Sequence, residues 1–106
     1  MWICLNDCFC SIVEDRDDPA YVLVRARNPD HLTALFPEAE IIDTPTADYG
    51  WRIRTTKAEL ADVLVGMVLS IDYPNFKSSV NEPQLKRLYS DIWLLGLHYQ
   101  EAITAA

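Results

Sequence analysis

In the first half of the chain short apolar, β-prone runs are separated by turn residues, and the alternation of apolar with polar side chains that marks a half-buried strand is cleanest in residues 48–55. From residue 56 onwards apolar side chains follow the 3–4 spacing of amphipathic helices. Residues 2–5 (WICL) are apolar and β-prone. Residues 8–14 (CFCSIVE) return as a second strand after Asn6-Asp7, two residues able to take the left-handed backbone of a tight hairpin turn. Asp15-Arg16-Asp17-Asp18-Pro19 is a turn by composition. Residues 20–27 (AYVLVRAR) form a third strand, with Val22, Val24 and Ala26 on one face and Tyr21, Leu23, Arg25 and Arg27 on the other. Asn28 caps and Pro29 starts a short helix carrying Leu32, Leu35 and Phe36, which Pro37 closes. Residues 40–44 read as a short strand. Residues 48–55 (DYGWRIRT) are the cleanest strand, with Tyr49, Trp51 and Ile53 alternating with Gly50, Arg52 and Arg54.

The main helix starts at Thr56. Leu60, Val63, Leu64, Met67, Val68 and Ile71 make one apolar stripe. Thr56 is the N-cap and Glu59 completes a capping box. Pro74 stops the helix near Ile71. Val65 and Leu69 widen the stripe, so cover on more than one side is expected. Gly66 costs roughly 1 kcal/mol against Ala in mid-helix, which points to close packing there. Residues 72–80 are irregular. Asn81 caps a last helix, with Pro83 in its first turn and Gln84 at the reciprocal capping position. Leu85, Leu88, Ile92, Leu95 and Tyr99 follow a 3–4 spacing along it, Tyr89, Trp93 and Leu97 add a second flank, and residues 103–106 are expected to fray.

The resulting order is ββ(β)αββαα, one domain over residues 1–106. It predicts an α+β fold, an antiparallel sheet of four to five strands with helices packed on one face. The order is that of a ferredoxin-like βαββαβ unit with its last strand moved to the front. The last helix then lies beside the main helix or across the open face of the sheet.

Composition narrows the function classes. Half the residues are apolar, enough for a two-layer core, and the net charge of −7 disfavours nucleic acid and anionic membranes as partners. No run has the length of a membrane span, and the N-terminus has no basic region leading into an apolar one. Three cysteines, all between Cys4 and Cys10, are a poor disulfide framework, so a reduced cytoplasmic protein is expected.

Little of the chemistry-bearing inventory converges. A two-residue turn pairs Leu5 with Cys8 and Ile3 with Cys10, so Cys8 and Cys10 share a face while Cys4 points away, and no metal site is expected. Glu14, Asp15, Asp17 and Asp18 lack the glycine and bidentate glutamate of a calcium loop. His31 and His98 have no recognisable partner, and the three glycines form no phosphate loop, so neither a catalytic residue nor a cofactor is expected. The arginines are more informative. Arg25, Arg27, Arg52 and Arg54 share the sheet face away from the two crossover helices, and like charges facing each other destabilise a sheet. Either Glu14, Asp43, the turn acids or the last helix neutralise or cover them, or they hold an anionic ligand or acidic partner with Tyr21 as a stacking platform. Tyr73, Asn75, Phe76 and Lys77 either pin the connection between two helices or form a recognition loop.

The segments SIV with RDDP (from Ser11 to Pro19), LVRAR (Leu23 to Arg27), Ala47-Asp48-Tyr49 followed by alternating arginines, and IDYPNFK (Ile71 to Lys77) resemble a set of small uncharacterised bacterial proteins of about this length. The resemblance spans most of the chain and implies a complete domain. It implies no activity and no catalytic residue, and the cysteines are not part of it.

The first functional expectation is a non-catalytic protein–protein interaction module, with homodimerisation through the last helix as one form, since Trp93, Leu94 and Leu97 make that helix apolar nearly all round. Two alternatives stand beside it. One is an acidic inhibitor or accessory protein of a basic, nucleic-acid-handling partner, of the kind mobile elements encode. The other is a small-anion binder or enzyme using the arginine face.

Overall fold

The computed structural model describes residues 1–105. Its five-stranded sheet has the order β1-β2-β3-β5-β4, antiparallel throughout. The strands are β1 (Trp2–Cys4), β2 (Phe9–Glu14), β3 (Tyr21–Ala26), β4 (Ile42–Asp43) and β5 (Trp51–Thr56). The helices are α1 (Pro29–Leu35), α2 (Lys57–Leu69), a single turn α3 (Phe76–Ser79) and the 22-residue α4 (Pro83–Thr104). The block β2-β3-β5-β4 is the sheet of the rearranged ferredoxin-like unit, and β1 extends it at the β2 edge. The β3-α1-β4 crossover sets α1 on one face, and α2, which leaves β5, packs on the same face in the same buried cluster.

Alternation decides what those helices cover. Cys8, Cys10 and Ile12 from the β2 side, Val22, Val24 and Ala26 from β3, and Ile53 from β5 meet Leu32 and Leu35 of α1 and Leu60 of α2 in one buried cluster. Ile3, Leu5, Val63, Leu64 and Met67 pack at its margin. The hairpin register is the expected one, Ile3 opposite Cys10 and the Leu5 N–H bonded to the Cys8 carbonyl at 2.9 Å. The Asn6-Asp7 backbone is not left-handed, however, for among the described residues φ is nowhere positive. Instead the Leu5 and Cys8 carbonyls both lie 2.8 Å from the Tyr89 hydroxyl of α4, which donates to one or the other. Burial, and secondarily the nearby cysteine sulfurs, push the Tyr89 phenol well above its ordinary range, so it stays a donor.

Of the three helices read from the sequence, two start on the expected cap. The Asn28 side chain accepts from the Asp30 N–H with Pro29 in the first turn, and Thr56 Oγ1 accepts from the Glu59 N–H at 3.1 Å. Glu59 turns its carboxylate to the Thr55 hydroxyl, so the capping box is half made. α4 departs from expectation. Its N-cap is Glu82, not Asn81, and no side chain caps it. The Glu82 carboxylate is drawn instead to His31. The stretch expected to be irregular contains α3, capped by Asn75 Oδ1 accepting from the Ser78 N–H at 3.0 Å. Ile103 and Thr104, expected to fray, belong to α4, while Ala106 lies outside the described residues.

α2 is covered on one side only. Val65, Val68, Leu69 and Ile71 are exposed, and nothing lies within 4 Å of a Cβ built on Gly66, so close packing does not account for that glycine. Val68 and Ile71 line a groove of about 280 Å³ with Ile3, Leu5 and Met67. α3 and the first half of α4 hold to the molecule through a second cluster, in which Phe9, on the sheet face opposite Cys8 and Cys10, packs with Val80, Leu85 and Tyr89. No helix among the described residues is long and apolar enough to cross a membrane.

Candidate functional site

The strand registers lay out the face away from α1 and α2. One row crosses all five strands as Trp2, Ser11, Arg25, Arg52 and Ile42, each opposite the next. The neighbouring row is Val13, Leu23 and Arg54. The four arginines thus lie on one face as the sequence implies, with Arg25 and Arg52 directly opposed on β3 and β5. α4 does not cover them, since its buried residues, Leu85 and Tyr89, meet Phe9 and Val80 instead.

The arginines divide into one that is neutralised and three that are not. Arg54 Nη2 lies 3.4 Å from Asp15 Oδ2, and its guanidinium sits 3.7 Å above the centre of the Tyr21 ring. Tyr21 is therefore a platform for Arg54. Partial burial pushes the Asp15 carboxyl up, but the Arg54 guanidinium, with the N–H groups of Asp17 and Asp18, outweighs it and holds the group below the usual carboxylate range. The other expected counter-charges are elsewhere. Glu14 pairs with Lys57 at 2.8 Å, and Asp43 forms no ion pair among the described residues.

Arg25, Arg27 and Arg52 have no carboxylate within ion-pair distance among the described residues. Each is held by a neutral oxygen. Arg25 Nη2 donates to Ser11 Oγ at 2.8 Å, Arg27 Nη1 to the Asp48 carbonyl at 2.6 Å, and Arg52 Nε to Thr44 Oγ1 at 3.3 Å. The Arg25 and Arg27 guanidiniums stand 4.8 and 4.4 Å from the centre of the Tyr49 ring. Tyr49 is 4% exposed and precedes β5. Its assignment to the helix-side face with Trp51 and Ile53 is therefore corrected, because the strand alternation begins only at Trp51. Tyr49, Ser11 and Thr44 are the residues that sequence reasoning missed. Their part depends on a loop conformation and on cross-strand partners that no local pattern encodes.

The second candidate stretch braces a helix. Tyr73 and Phe76 rings lie 6.0 Å apart, Phe76 is 5.2 Å from the Tyr89 ring, and Lys77 Nζ stands 4.5 Å from the centre of the Trp93 indole. Asn75 caps α3. These contacts fasten the root of α4. Beyond it the helix has little to pack on. Exposure along its 3–4 spine rises from 37% at Leu88 and Ile92 to 66% at Leu95 and 68% at Tyr99. A 22-residue helix is about 33 Å long, and the molecule's longest dimension is 44 Å.

Two of the cysteines and His31 belong to the core and its ties. Cys8 and Cys10 are buried and Cys4 is exposed on the opposite face. Burial pushes the Cys10 thiol up to about 11 and the Cys8 thiol higher still. His31, which sequence reasoning left without a partner, bridges the Phe9 N–H and Glu82, 51 residues away. Comparison with protein-family models, with curated proteins and with solved structures gave no match.

Proposed function

We propose that this chain is a non-catalytic interaction module that pairs with a second copy of itself through the outer part of α4. The observation that carries the reading is the exposed heptad. Leu85, Leu88, Ile92, Leu95, Tyr99 and Ala102 recur at alternating steps of three and four, the a and d positions of a coiled-coil seam. Only Leu85 is used by the molecule's own core. Ile103 flanks the seam and is exposed as well, whereas Trp93 and Leu94 are exposed on the opposite side of the helix.

An antiparallel two-fold pairing suits this sequence. Setting Ile92 against Leu95 of the second copy also sets Leu88 against Tyr99, and the same pairs repeat on the other side of the axis, as an isologous interface requires. Asp91 then faces His98 at the flank, and Gly96 lies near the Tyr89 position, so no like charges oppose each other. The folded bodies sit at opposite ends of the helix pair. The exposed apolar side chains of the seam, with Ile103, present on the order of 500 Å², and the polar flanks at Asp91 and His98 extend the contact towards the ~800 Å² per partner of a standard interface. In this reading the setting is the cytoplasm, where three free thiols stay reduced.

Size-exclusion chromatography with light scattering tests it. The wild-type chain is expected at twice its 12.1 kDa mass. Leu95→Glu is expected at the single mass with an unchanged circular dichroism spectrum, because Leu95 touches little in one copy. A wild-type chain that stays monomeric at tens of micromolar would overturn the proposal.

A further inference from the structure

We infer that Arg25 and Arg27, held at the buried ring of Tyr49, together with Arg52, directly opposite Arg25, bind a phosphate-class oxyanion, either free or as a monoester. This inference does not depend on α4 pairing, since the arginine face and the helix seam share no residue.

Four features distinguish the cluster from an ordinary charged surface. First, the fold neutralises the fourth arginine of the same face with Asp15 but leaves these three without a carboxylate, in a protein whose acidic side chains outnumber its basic ones by 16 to 9. Second, each guanidinium is oriented without being neutralised. One N–H of each goes to a neutral oxygen of Ser11, Asp48 or Thr44, and most of its five N–H donors stay free. Third, the anchors are buried or built into the backbone. Tyr49 and Ser11 are both buried, and the ring of Tyr49 holds two guanidiniums whose charges repel each other. Fourth, the Arg25 Nε is enclosed with no acceptor, so the Arg25 head is held out of water on one side.

The arrangement selects the ligand class. Three cations on one face exceed the charge of a single carboxylate. A tetrahedral dianion carries both the charge and the diverging oxygens that three separate guanidinium forks can meet. A long polyanion is disfavoured, because the rest of the molecule is acidic and the cluster spans only two strands and a loop. Ile42, next to Arg52, and Leu23, in the row beside Arg25, supply an apolar margin for an organic group on the phosphate.

The test is titration of inorganic phosphate, and separately of phenyl phosphate, at constant ionic strength, followed through the arginine Nε–H signals by NMR. The Arg25, Arg27 and Arg52 signals are expected to move and the Arg54 signal to stay. Arg27→Gln, at an exposed position, and Arg52→Gln should each weaken binding about tenfold or more while Arg54→Gln leaves it unchanged. Tighter binding of phenyl phosphate assigns the site to organic monoesters, and equal binding assigns it to free phosphate. Absence of any shift, or an equal response in wild type and in both cluster variants, would overturn the inference.

Discussion

His31 takes one hydrogen bond at each ring nitrogen, and the chemistry of its partners fixes its tautomer. The Phe9 backbone N–H can only donate, so Nδ1 accepts at 3.2 Å, and the ring proton sits on Nε2, donated to Glu82 at 3.0 Å. One buried side chain thus ties α1 to the start of β2 and to the head of α4. Removing the acceptor would leave a buried N–H without a partner, which costs about 1–3 kcal/mol. His31→Leu is therefore expected to lower the stability measured in urea by about 2 kcal/mol. His31→Asn can place an oxygen near the Nδ1 position and should recover part of that loss. Equal losses in the two variants would show that the Phe9 bond is not the source.

At the scale of elements, α2 shows how a helix can be clear in sequence and still be covered less than its composition implies. Leu60, Val63, Leu64 and Met67 reach the sheet, whereas Val65 and Leu69 point outward. Gly66 lies on that outward side with open space around it. Alanine there removes the backbone entropy cost of a mid-helix glycine without meeting any atom. Gly66→Ala is expected to raise stability by about 1 kcal/mol. A loss of stability instead would place a contact on the outer side of α2 in solution. For α4 the two halves differ in kind. The first is fixed by Tyr89 and the α3 aromatics, and the second carries its apolar seam outward.

For the molecule as a whole, the thiols report on global opening. Cys8 and Cys10 lie in the central cluster between sheet and helices, where burial keeps them protonated and out of reach. Cys4 is exposed on the other face, although its partial burial also raises its thiol. At pH 8 a disulfide reagent is expected to modify one thiol per chain in the native state. The other two should react only as the sheet unfolds, at a rate that rises with denaturant. Three equally fast thiols would show that the β1–β2 hairpin opens separately from the core.

The sequence by itself determined the strands, the caps of α1 and α2, the hairpin register and the sharing of one face by four arginines. These rest on local terms: side-chain alternation, the proline and Asx chemistry of helix starts, and the spacing across a turn. It also carried the heptad of α4, legible in the 3–4 spacing of Leu85 to Tyr99. Only the tertiary structure decided which arginine meets a carboxylate, that Tyr49 leaves its strand to lie under two others, and that Glu82 gives up its neighbours for His31. Those outcomes depend on which of several equally charged or equally polar groups comes within hydrogen-bond reach. That is settled by chain closure over tens of residues, for which neighbouring residues carry no record.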